Sequence, residues 1–123
     1  MGQPILVVDD SRTVRVQLSR MLAEAGHEVT VAGGGEQALE LAKEAFPSLM
    51  ILDIQMPGMD GYTVCQQLKV MGDPFDNVPV VFLTSLESRA LDLLGDAMGA
   101  YLRKPVDRIE LLEVVGRFVA PVC

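Results

Sequence analysis

Asp9, Asp10 and Asp53 are the residues on which chemistry could be built. Asp9-Asp10 follow directly on the apolar run Ile5-Leu6-Val7-Val8, and Asp53 ends the run Leu49-Met50-Ile51-Leu52. Runs apolar at every position fit strands buried on both faces of a parallel sheet. The segment Gln55-Met56-Pro57-Gly58-Met59-Asp60-Gly61 then reads as a loop at the carboxyl end of the second strand. In an open α/β sheet that edge is where chemistry sits. If the two strands are neighbours, three carboxylates converge there. Like charges so close raise one another's pKa, so the cluster calls for a cation, and an all-oxygen ligand set points to Mg²⁺.

Two further strand ends carry polar groups. Val80-Val81-Phe82-Leu83 ends on Thr84-Ser85, and Ala100-Tyr101-Leu102-Arg103 ends on Lys104-Pro105. Taken singly, acids cap helices, threonine ends strands and lysine is solvated. Taken together, three acids, a hydroxyl and an ammonium at equivalent strand ends form a set complete for phosphoryl transfer onto a carboxylate. In this reading Asp53 is the nucleophile. Asp10 and Asp53 ligate Mg²⁺ directly, Asp9 through water, and the Gln55 backbone carbonyl supplies another oxygen. Lys104 and the Thr84 hydroxyl each take one phosphoryl oxygen. No base is required, because a carboxylate near its ordinary pKa is already ionised.

Positioning these groups takes alternating elements. Ser11 caps a helix to about Ala25 with Val14, Leu18, Met21 and Ala25 inward, and Gly26 stops it. Glu28 to Ala32 alternates as an edge strand. Between them the only histidine, His27, has no acid or nucleophile beside it and is expected on the surface. Gly33-Gly34-Gly35 lacks the spacing and lysine of a phosphate cradle and reads as a turn into the helix Glu36 to Ala45, with Ala38, Leu41, Ala42 and Ala45 on one face. Tyr62 to Met71 reads as a third helix, with Val64, Leu68 and Met71 inward. A fourth, Glu87 to Met98, is Leu-rich on more than one side through Leu91, Leu93, Leu94 and Met98. The last runs from Asp107 to about Val119, with Ile109, Leu112 and Val119 on one face and Leu111, Val115 and Phe118 near another. Five strand-helix repeats demand an α/β fold: one doubly wound (βα)5 domain over residues 1–123, with a five-stranded parallel sheet and right-handed crossovers.

Composition narrows the functions. The 123 residues suit one domain, half of them hydrophobic, with no apolar stretch long enough to cross a bilayer and no signal-peptide order at Met1-Gly2-Gln3-Pro4. A cytoplasmic protein is expected. A net charge of −7 with ten scattered cations argues against direct nucleic-acid binding. Cys65 in a helix and Cys123 at the end suggest neither a disulfide framework nor a metal knuckle.

Val8-Asp9-Asp10-Ser11, the run Leu52 to Gly61, Val81 to Ser85 and Tyr101 to Pro105 resemble the four signatures of response-regulator receiver domains. The match covers essentially the whole chain. It implies a CheY-like, flavodoxin-like fold with strand order 2-1-3-4-5. It also implies that a partner's phosphohistidine, on a sensor histidine kinase or phosphotransfer protein, phosphorylates Asp53. The domain would be a signalling phosphoacceptor rather than a turnover enzyme, catalysing its own phosphorylation and slow autodephosphorylation. By position Tyr101 resembles the family's aromatic switch, filling space that Thr84 vacates and repacking the face of the fourth helix, fifth strand and fifth helix. That face would meet a downstream target, an output domain or a second receiver in a phosphorylation-dependent dimer. Lys104-Pro105 would be cis.

There are departures and alternatives. Gly-Ala lies two residues further from the aromatic in many receivers than in Gly95 to Tyr101, and Gln55 and apolar Leu86 occupy the positions that tune water access. A turnover phosphatase with an Asp nucleophile would want a second acid where Gln55 stands and a substrate cap the chain has no room for. A pseudo-receiver that binds partners unphosphorylated would not need all five polar positions. Ala120 to Cys123 does not suggest an output domain, which leaves a single-domain receiver or a piece of a longer regulator or kinase. Val16 and Arg15 are candidates for contact with the phosphodonor.

Overall fold

The computed structural model describes residues 4–85 and 100–119. Its strands β1 (Ile5–Val8), β2 (Val29–Ala32), β3 (Leu49–Asp53), β4 (Val80–Thr84) and β5 (Ala100–Arg103) form one parallel sheet in the order β2-β1-β3-β4-β5. Helices α1 (Arg12–Glu24), α2 (Gly35–Glu44), α3 (Gly61–Met71) and a C-terminal helix (Arg108–Gly116) cover it. The expected fourth helix, Glu87 to Met98, and with it Leu86 and the Gly95–Gly99 departure, lies outside the described residues, as does Cys123.

Because side chains alternate along a strand, each central strand feeds two cores. Leu6, Val8, Met50, Leu52 and Phe82 face Ala38, Ala42, Val64 and Leu68 of α2 and α3. Ile5, Val7, Leu49, Ile51, Val81, Leu83 and Leu102 face Leu18 and Leu22 of α1 and Leu111, Val114 and Val115 of the C-terminal helix. This is why the central strands carry no polar residue until their ends. Ser11, Asp60 and Asp107 start their helices by accepting from Val14, Thr63 and Glu110 backbone N–H groups. Gly26, at φ +93°, closes α1 by donating to the Ala23 carbonyl at 3.0 Å.

The structure corrects several expectations. The C-terminal helix ends at Gly116, short of Val119, and turns Leu111, Val114 and Val115 inward while Ile109 and Phe118 stay exposed. Ala45 is exposed and lies outside α2. The loop after α3 contains a short 3₁₀ turn, Phe75–Asn77, whose Phe75 packs edge-on against Phe46. Both Asp73-Pro74 and Lys104-Pro105 are cis.

His27 is buried rather than on the surface, 8% exposed, beneath the end of α1. Its backbone N–H reaches the Leu22 carbonyl at 3.0 Å, which draws the residue in behind Gly26. Burial lowers its pKa below 6.5. The folded state thus disfavours the imidazolium, and the stability this neutral ring allows is present above the unfolded pKa and lost as pH falls. His27→Gln should flatten the fall of the urea midpoint between about pH 7 and 5 relative to the parent. Parallel pH profiles would count against it.

Candidate functional site

Strand register assembles the site. Val8 pairs with Leu52, so Asp9 comes abreast of Asp53, one residue beyond the pair. Thr84 pairs with Arg103, which brings Lys104 past the same edge. The Lys104 N–H donates to the Thr84 carbonyl at 2.8 Å and so ties the ends of β4 and β5 together. Carboxylate oxygens of Asp9, Asp10 and Asp53 lie within 4.8 Å of one another.

The two adjacent acids differ. Asp9 is fully buried and Asp10 exposed. Asp9 Oδ1 accepts from the Ser11 N–H at 2.9 Å, and its Oδ2 lies 2.8 Å from Lys104 Nζ. Asp53 Oδ1 accepts from the Gln55 N–H at 3.2 Å, and its Oδ2 lies 3.2 Å from the same ammonium. Lys104 therefore bridges both buried acids. Burial first, and then the charge of Asp9, push the Asp53 carboxyl above its usual pKa against the opposing pull of Lys104. For Lys104, burial acts to lower the pKa, but hydrogen bonding and charge from Asp9 and then Asp53 prevail and raise it.

Three carboxylates against one ammonium leave an excess of negative charge on hard oxygen donors. That donor set suits a small divalent cation such as Mg²⁺.

Of the residues expected here, the structure brings together Asp9, Asp10, Asp53 and Lys104, with the Gln55 backbone on Asp53 and buried Thr84 at the neighbouring strand end. The exposed Gln55 side chain accepts from Ser85 Oγ at 3.4 Å. Tyr101 is not in the acid cluster. It stacks on Phe82 on the α3 side of the sheet, with ring centroids 5.5 Å apart. Two residues read from the sequence as a helix cap and a partner contact also brace the site. Arg15 Nη1 donates to the Asp9 carbonyl at 2.8 Å, and Ser11 braces the Asp9 carboxylate with its backbone. Helical spacing from Ser11 to Arg15 was the only available signal.

Gly61 sets the height of α3 against the site. A Cβ there would stand 2.7 Å from the Asp53 carbonyl oxygen, while the Gly61 N–H donates to the Ile54 carbonyl at 3.0 Å. Backbone on both sides cannot yield. Gly61→Ala should cost about 1–3 kcal/mol in denaturant unfolding and move the Asp53 amide resonance. An unperturbed variant would show that α3 is not wedged there.

A five-stranded doubly wound sheet with an acid cluster and a lysine at its carboxyl edge defines the class. Residues 5–116 match the response regulator receiver domain, and the chain belongs to that family. It is 40% identical over 111 residues to a probable transcriptional regulator, ycf27, of Porphyra purpurea, covering 89% of this chain and 44% of the relative. Over 115 residues it is 42% identical to the response regulator PleD of Caulobacter vibrioides, covering 90% of this chain and 25% of that one. The chain thus spans less than half the length of either relative. Among solved structures, the Vibrio cholerae chemotaxis protein CheY4 superposes with a TM-score of 0.84 at 31% identity, covering 97% of this chain and all of the other. A receiver-domain identity, consistent with two-component signalling, follows. No helix among the described residues is long and apolar enough to cross a membrane.

Proposed function

We propose that this chain is the phosphoacceptor of a two-component relay, taking a phosphoryl group from a partner's phosphohistidine onto Asp53. The observation that carries it is the ammonium of Lys104 poised between the carboxylates of Asp9 and Asp53, with Asp10 alongside. Asp10 and Asp53, with Asp9 and the Gln55 carbonyl, would hold Mg²⁺. Bound there, the ion would supply charge neutralisation for the acids and the phosphoryl oxygens.

The chain's own groups do the rest. An Asp53 oxygen attacks phosphorus; the new O–P bond forms as the donor's N–P bond breaks, and the imidazole nitrogen keeps the electron pair. Lys104 already stands beside the accepting carboxylate, so arriving negative charge meets a cation with little reorganisation. Thr84 offers its hydroxyl to another oxygen. The backbone N–H of Gln55 holds Asp53 in place, and Lys104 opposes the rise in its pKa that burial and Asp9 cause, against the expectation of a carboxylate near its ordinary value.

Docking of the donor has a surface to use. A groove of about 310 Å³ runs beside Lys104, lined by Val14, Leu18 and Met21 of α1 and by Pro105 and Val106. Its mostly apolar lining would suit apolar side chains of a partner helix. Arg12, Arg15 and Arg20 flank exposed Val16 and Val31 on the adjoining side of α1. The proposal places Thr84 and Tyr101 as the moving pair that reports phosphorylation to a target or output domain.

The test is incubation with acetyl phosphate and MgCl₂, followed by borohydride reduction and peptide mass spectrometry. The mark should fall on Asp53 and vanish with EDTA. A cation-independent mark, or one on another residue, would overturn the reading.

A further inference from the structure

We infer that Tyr62 is a latch for Tyr101: its hydroxyl, brought in by α3, holds the Tyr101 ring in the inward position across Phe82. This rests on the proposed reading of Tyr101 as the residue that moves.

Phe82 is fully buried in β4 and pairs in register with Tyr101 of β5. Tyr101 stacks on it at 5.5 Å between centroids, and Tyr62 packs against it from α3 at 5.4 Å with the rings tilted by 50°. The three rings form a ladder joining α3 to the edge strand. Phe82 also lies two residues before Thr84, on the same face of the same strand, so the ladder begins next to the site.

The polar ends of this ladder are the unusual part. Both hydroxyls are shut off from solvent, and neither makes a hydrogen bond in this structure. Burial first, and then the nearby Tyr62, raise the Tyr101 phenol to about 12, which places the two hydroxyls within each other's influence. A buried hydroxyl with no partner costs about 1–3 kcal/mol. A hydroxyl rotates to suit its partner, so an O–H···O bond between the two would satisfy both. Each hydroxyl is therefore the other's means of satisfaction while Tyr101 is inward. When Tyr101 swings out, its own hydroxyl reaches water while that of Tyr62 stays behind in an apolar niche with Cys65 and Phe82. The hydroxyl of Tyr62 thus favours the inward state. Its ring alone, as phenylalanine, would not.

The chain contains two tyrosines, so ring-¹³C-tyrosine labelling yields one set of signals for each. In the parent protein, beryllofluoride with Mg²⁺ should move the Tyr101 signals. In Tyr62→Phe the unmodified protein should already show them displaced toward the beryllofluoride position, with the inward-to-outward ratio reduced about fivefold, the worth of one neutral hydrogen bond. Urea unfolding of Tyr62→Phe, Tyr101→Phe and the double variant should be non-additive. Tyr101 signals indifferent to beryllofluoride would overturn both the switch reading and the latch. Signals that respond in the parent but start from the same place in Tyr62→Phe, or additive stabilities, would overturn the latch and leave the switch standing.

Discussion

Asp53→Asn should abolish labelling by acetyl phosphate, a loss of at least about a thousandfold, because it removes the carboxylate proposed to accept the phosphoryl. The amide is nearly isosteric. Its oxygen can still accept the Gln55 N–H that Asp53 accepts at 3.2 Å, so the loop is expected to keep its shape. The same change should make the cation-free protein harder to unfold at neutral pH. In the fold the Asp53 carboxyl lies above its usual pKa through burial and the charge of Asp9. A raised folded pKa adds stability below the unfolded value and forfeits it as pH rises through the folded one. At neutral pH the ionised side chain is therefore a burden, which the amide lifts. Added Mg²⁺ should stabilise the parent by mass action and the variant less. Urea midpoints with and without MgCl₂ measure this. Persistent labelling of the variant would sink the site assignment, and a lower cation-free midpoint would sink the electrostatic account.

Lys104→Met should cost about 3 kcal/mol of stability at neutral pH, although it keeps most of the apolar stem. Removing one partner from a buried ion pair leaves the other charge stranded, at about 3–5 kcal/mol. Two carboxylates would be stranded here, Asp9 at 2.8 Å and Asp53 at 3.2 Å from the lost ammonium. The low end of the range applies because the Lys104 side chain is 23% exposed and partly screened by water. The deficit has a sign in pH. Without the ammonium, the one influence that lowers the Asp53 pKa through charge is gone, so its folded value climbs further. The variant should recover toward acid, where Asp53 is protonated, and worsen as pH rises. Mg²⁺ should restore part of the loss. Labelling by acetyl phosphate should fall by about a hundredfold or more, since the ammonium 3.2 Å from Asp53 would no longer meet the arriving charge. A variant as stable as the parent at neutral pH would show that the bridge is incidental.

Much of this site was legible along the chain. Three apolar runs, buried throughout except at the half-buried Val80, end on Asp9, Asp53 and Thr84, because a strand covered on both faces tolerates polarity only where it leaves the sheet. A run of identical character thus marks its own end, and parallel pairing sends all such ends to one edge. Helix starts at Ser11, Asp60 and Asp107 were readable for a similarly local reason: a capping side chain acts on N–H groups two or three residues away.

Other features needed the assembled fold. Adjacent acids look alike in a sequence, and only the pairing of Val8 with Leu52 turns Asp9 into the buried space beside Asp53 while Asp10 stays outside. His27 read as a surface loop residue but is drawn beneath α1 by the closing turn at Gly26. Lys104 read as a partner for a phosphoryl oxygen and stands as the bridge between two acids. Tyr62 carried no signal, because its neighbour Tyr101 is 39 residues away along the chain and meets it only across Phe82. The sequence by itself determined which residues stand at strand ends, since chain order and burial act locally. Tertiary structure decided which of them touch, since strand register and helix packing bring together side chains that no local interaction relates.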